Sequence, residues 1–121
     1  MTTKPSAEML DDDAREFVGS FAFDGDGDYT VFLSSPWDFD VLSIETQCGT
    51  GTSASLQVKI DNTAITWTDA AGTTLSCTTT ADMDTPSSGG SAEVSDNFLF
   101  SVSSFSGSDL LFVNVFCRRD S

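Results

Sequence analysis

Histidine is absent from the 121 residues, and five lysines and arginines stand against 19 aspartates and glutamates, for a formal charge of −14. Without histidine, a serine or cysteine nucleophile lacks its usual general base. The only lysines are Lys4, in the N-terminal stretch, and Lys59, on the polar side of an alternating segment, so a serine–lysine pair finds no support. The acidic excess repels phosphate backbones and argues against nucleic acid as a partner. No apolar run approaches the ~20 residues of a membrane helix. The opening "MTTKPSAEMLDDD" has no apolar core of signal-peptide type, so synthesis and folding in the cytoplasm, with no membrane partner, are expected. Cysteine is scarce too: Cys48, Cys77 and Cys117 are an odd set without C-x-x-C pairing. That spacing argues against zinc and redox motifs and reads as reduced, buried thiols.

What is present is apolar, aromatic and alternating. Hydrophobic residues make up 39% of the chain and phenylalanine supplies ten of them, a globular composition for one domain. Nearly every segment between turn signals is short, rich in Val, Ile, Thr and aromatics, and of period two, which predicts strands and leaves little room for helix. "EFVGSFAF" places Phe17, Phe21 and Phe23 on one side, and "YTVFL" does the same for Tyr29, Val31 and Leu33 across an Asp-Gly loop, a hairpin pattern. In "WDFDVLSIETQC" Trp37, Phe39 and Val41 alternate before the phase shifts to Leu42 and Ile44, which predicts a bulge or a change of face. "SASLQVKI" sends Ala54, Leu56, Val58 and Ile60 inward. "AITW" adds Ile65 and Trp67, and Val94, Phe98, Phe100 and Val102 share a phase. The stretch from Ala81 to Gly90 is the longest expected loop. The closing "LLFVNVFCRR" is apolar on both faces, as a central strand or one shared with a neighbouring subunit would be.

About eight strands at roughly 8–12-residue intervals predict an all-β sandwich, jelly roll or small barrel. Residues 1–13 stand apart as an N-terminal arm, with four acids, one proline and only Met9 and Leu10 as large apolar neighbours. Residues 14–121 form the folded domain.

Three sets of side chains invite a chemical reading. "DGDGDYT" places Asp24, Asp26 and Asp28 at the first, third and fifth positions of a calcium loop. Tyr29 then stands where that loop needs glycine and Ser35 where it needs a bidentate glutamate, so the stretch reads as a turn, with the three aspartates a weak cation candidate at most. A glycosidase-type carboxylate pair is a distance in space, which no motif here singles out; the chain is expected not to be an enzyme, and nothing calls for a cofactor. Trp37 and Trp67 with the phenylalanines offer a stacking platform or, given their alternation, core. Trp37, after Pro36, is the one placed for a subunit contact, and Arg118 and Arg119 suit an inter-subunit ion pair.

The run "GTGTSASLQVKIDNTAI", the threonine-rich strand after it, the acidic loop before "FLFSVSS" and the closing "DLLFVNVFCRR" resemble the small jelly-roll proteins of tailed bacteriophages. The resemblance covers roughly residues 39 to 119 and rests on turn-and-strand patterns; "EVSDN" departs from the glycine usual before the later turn. It implies a jelly-roll β-sandwich of antiparallel strands with an N-terminal arm. It further implies a capsid cement or decoration protein on the outer surface of the virion, a homotrimer that holds the major capsid protein. Lys4, Met9, Leu10 and Arg15 are then the expected capsid contacts. Trp37, Arg118 and Arg119 are the expected subunit contacts, and attachment should depend on salt. The alternative is a receptor-binding or fibre-tip domain that holds a host-surface glycan.

Overall fold

The computed structural model describes residues 16–120. The arm and the expected capsid contacts Lys4, Met9, Leu10 and Arg15 lie outside the described residues. The strands, in chain order, are β1 (Glu16–Phe23), β2 (Gly27–Phe32), β3 (Phe39–Cys48), β4 (Ser53–Ile60), β5 (Thr63–Ala64), β6 (Thr66–Trp67), β7 (Leu75–Cys77), β8 (Asp82–Asp84), β9 (Pro86–Ser88), β10 (Ser91–Ala92), β11 (Phe98–Ser106) and β12 (Leu111–Arg119).

All pairings are antiparallel, and they form two layers. The first runs β1–β12–β3, with β8 and β10 both on the far edge of β3. The second runs β2–β11–β4, with β5 and β7 both on the far edge of β4. A small β6–β9 ladder stands beside them. The chain therefore changes layer from β1 to β2, from β2 to β3 and from β3 to β4. It changes again between β7 and β8, between β10 and β11 and between β11 and β12, so that first and last strands lie side by side. This is the jelly roll, and the fold class is as expected.

Alternation explains the layers. Along β4, Ala54, Leu56, Val58 and Ile60 are buried, and along β12, Leu111, Val113, Val115 and Cys117 are. Aromatic rings from the two layers meet between the sheets, with Phe21 and Phe100 centred 5.0 Å apart, Phe39 and Phe98 5.3 Å, and Phe23 and Phe100 5.6 Å. Ile65 and Trp67 are fully buried. β12 is a central strand, between β1 and β3.

Five local expectations need correction. β1 and β2 do not form a hairpin: β1 pairs with β12 and β2 with β11, so the Asp-Gly loop crosses between layers. Both partners come from the other end of the chain, which alternation cannot reveal. Leu33 is 85% exposed because a bulge opposite Phe98 and Leu99 makes Val31 an extra residue and turns Phe32 inward. A second bulge makes Leu42 extra between Val41, opposite Cys117, and Ser43, opposite Phe116; the expected phase shift is there, but Leu42 points out. Val94 lies in an exposed turn before β11, and the expected loop from Ala81 to Gly90 contains β8 and β9.

Candidate interaction surface

The outer faces of the two layers differ in chemistry. On the second layer, outward positions pair Ser101 with Gln57, Ser103 with Ser55, and Ser55 with Ser76, and Gln57 Nε2 donates to the hydroxyls of Thr73 and Thr74. That face is mostly hydroxyl and amide, well suited to water.

The first layer exposes carbon. Its register lines up Val18 with Phe116 and Ser43, and Ala22 with Phe112 and Gln47. Met83 stands beside Glu45, and the bulge adds Leu42. Val18 is 58% exposed, Met83 51%, Phe112 46% and Leu42 41%. A polar row divides these groups. Ser20 Oγ donates to Asn114 Oδ1 at 2.7 Å and Asn114 Nδ2 donates to Glu45 Oε1 at 3.2 Å, which links β1, β12 and β3 side by side across the outer face. Exposed carbon on a highly charged chain makes this face the candidate interaction surface.

At one end of the first layer the structure gathers the expected subunit contacts, Arg118 on this outer face and Arg119 with Trp37 on the inner side. Arg119 lies over the Trp37 ring with its guanidinium carbon 5.2 Å from the centroid, and Trp37 packs on Phe17 at 5.5 Å and Phe32 at 5.8 Å. Trp37 is thus held by its own chain, half-buried, and Trp67 is wholly buried, so neither indole stands free as a stacking platform. Arg118 lies in register between Glu16 and Asp40. Beside it, Ser91 Oγ donates to Asp40 at 2.6 Å, and the Val94 N–H donates to Asp38 at 2.8 Å. Desolvation, and then the Asp40 carboxylate that shares a hydrogen bond with it, hold the Asp120 carboxyl above its ordinary value against the pull of Arg118. An open polar cleft of about 400 Å³ adjoins this end, lined by Asp40, Val41 and the Pro86 to Ser91 segment.

The aspartates of the DGDGD loop are not gathered. Asp26 accepts the Phe105 N–H at 2.9 Å, and the Tyr29 hydroxyl donates to the Gly25 carbonyl at 2.9 Å, which pins the loop to β11 and to its own ring. Among the described residues no three acidic or thiol groups converge as metal ligands. The three cysteines are free and buried. Burial raises the Cys48 thiol, takes Cys77 up to about 11 and Cys117 up to about 12.

Two features escape sequence reasoning. The exposed apolar face is foreshadowed only by the two-sided pattern of β12, because its other members come from β1, β3 and β8. Asp84 is the second. It is buried and its carboxylate accepts N–H bonds from Asp69, Ala70 and Thr85 at 2.9, 3.0 and 2.8 Å, which ties the loop after Trp67 to the end of β8.

The architecture defines the chain as a jelly-roll β-sandwich. No protein-family model matches it, and no curated protein matches it. Its fold is similar to that of a chain in the acidic stable capsid structure of Helicobacter pylori bacteriophage KHP30, with a TM-score of 0.50 and 11% identity over 88% of this chain and 89% of that one. The two coverages are nearly equal, so the two chains are of nearly equal length.

Proposed function

We propose that this protein is a structural component of a phage virion, a capsid cement or decoration protein. In this reading it binds the outer surface of the major capsid protein lattice as a homotrimer and stabilises the head. The observation that carries the reading is the exposed carbon of the β1–β12–β3 face on an otherwise highly acidic chain. Support comes from the likeness in fold and length to a chain of a phage capsid, and from the sequence resemblance to small phage jelly rolls.

The mechanism is mass action without a reaction. A protein that binds only the mature lattice stabilises it by RT ln(1 + [L]/Kd), where [L] is the free protein. Full burial of a Val, Phe or Met side chain contributes about 1.5–3 kcal/mol, so half-exposed Val18, Phe112 and Met83 contribute roughly 1 kcal/mol each when covered.

The test is to add the purified chain to heads that lack it, locate it by antibody labelling in electron microscopy, and follow head rupture on heating. Label spread evenly over the head, with rupture moved to higher temperature, is the expected result. Label confined to the tail or to one vertex would overturn the proposal.

A further inference from the structure

The sandwich has four lateral edges, and three of them are blunted against adding another strand. The far edge of β3 carries only the short β8 and β10, and the far edge of β4 only β5 and β7, each two or three residues long. β2 is interrupted by its bulge at Val31 and begins at Gly27 and Asp28. These are the devices by which sheets avoid edge-to-edge association. β1 has none of them. It runs eight residues in unbroken register with β12, without proline, lysine or bulge, and its single charge is Glu16 at its start. Among the described residues, no backbone hydrogen bond outside the β1–β12 ladder involves β1. Along an antiparallel strand every second residue turns its N–H and C=O away from the partner, so β1 presents a row of unpaired groups.

We propose that the free edge of β1 pairs antiparallel with β1 of a second copy, about a two-fold axis through Gly19, to join the first layers of two molecules into one continuous sheet. The strand is self-complementary in this register. Phe17 stands opposite the second copy's Phe21, Val18 opposite Ser20, and Glu16 opposite Ala22. Phe17 and Phe21 face the core but are only half-buried, because the layer ends at β1; a second strand covers them as cross-strand aromatic pairs. Gly19 suits the axis, since its own Phe21 ring already lies across it, with Cε2 2.7 Å from where a Cβ would be. Charge selects the register: moving the axis to Ser20 sets Glu16 against Asp24, whereas with Gly19 on the axis the glutamate meets no acid.

The chain's own residues 1–15 are a poorer occupant on sequence, because Pro5 lacks an N–H for a ladder and Asp11, Asp12 and Asp13 have low strand propensity. The proposal is independent of where the protein acts. On a shell, it would link neighbouring trimers at local two-fold positions.

The test uses the full chain. Sedimentation equilibrium should show association into even-numbered species as concentration rises. Directly opposed residues have Cβ atoms about 4.5–5.5 Å apart and diagonal ones about 7–8 Å, so only opposed positions come within disulfide reach. Val18→Cys with Ser20→Cys should therefore give a covalent dimer under mild oxidation, and each single variant should not; the native thiols are buried. Amide exchange along β1 should slow with protein concentration. A chain that stays monomeric without cross-linking overturns the proposal, as does a trimer whose β1 amides exchange freely. Protection of β1 that appears only when heads are added would assign the edge to a capsid strand and overturn the second-copy assignment.

Discussion

Asp84 shows how one buried carboxylate can hold a region that hydrophobic pattern leaves unspecified. It satisfies three backbone donors from both sides of the β6–β8 connection, and charged acceptors make the stronger hydrogen bonds. Asp84→Ala leaves those donors unpaired, and we expect a loss of about 2–4 kcal/mol in urea denaturation, with Asp84→Asn losing less. Asp120 acts in the opposite sense. Its carboxyl is raised in the folded state, so as pH climbs the unfolded chain gives up this proton before the folded one does. The contribution to stability is therefore highest below the ordinary carboxylate range and is lost as pH rises through the raised folded value. Asp120→Asn should be more stable than the parent at neutral pH and equal to it in acid, by denaturation at the two pH values. A gain that persists in acid would mean that the carboxylate's charge is not the cause. The cysteines complete the residue scale. With thiols buried and raised, none should react with Ellman's reagent at neutral pH until the protein is unfolded, when all three should.

At the scale of elements, the turns that carry the sequence resemblance also pack together. The β3–β4 turn meets the β11–β12 turn: the Asp109 N–H donates to Thr52 Oγ1 at 3.0 Å, and a Cβ on Gly107 would come within 2.6 Å of the Gly51 carbonyl oxygen and 2.5 Å of Thr52 Oγ1. Gly107 also has φ of +120°, where a side chain is strained. Gly107→Ala should cost about 1–3 kcal/mol by thermal or urea unfolding, from strain and from the clash together. The same comparison shows what alternation conveys and what it omits. β4 and the buried half of β12 are legible residue by residue, because period two states directly which side chains share a face. The Val41–Leu42–Ile44 phase break announces its bulge, but the side on which the extra residue falls depends on register with β12. Strand pairing across nearly the whole chain, as between β1 and β12, leaves no local trace; the apolar outer face leaves only the two-sided pattern of β12, because its other members are brought together by that pairing. Asp84 is silent for a related reason, since its donors lie on a loop made adjacent by the fold.

Across the whole molecule, the acidic charge is the problem that any assembly must meet. The described cations of the β1–β12–β3 layer lie at one end, where Arg118 stands between Glu16 and Asp40 on the outer face and Arg119 covers Trp37 on the inner side. Copies brought side by side at −14 each repel unless those guanidinium groups reach acids across the contact, or counterions intervene. Arg118 is the cleaner probe, because Arg119 also packs on an aromatic ring, and its loss would change packing as well as charge. If attachment to heads relies on such cross-contact pairs, Arg118→Gln weakens it, and added salt weakens the parent more than the variant because the variant has already lost the screened attraction. If long-range repulsion dominates instead, salt strengthens attachment of both proteins. Co-sedimentation with heads over a salt series separates these outcomes by the sign of the slope. The apolar contribution is read independently: Phe112→Ser should weaken attachment at every salt concentration by a similar factor, leaving the slope of the parent protein intact.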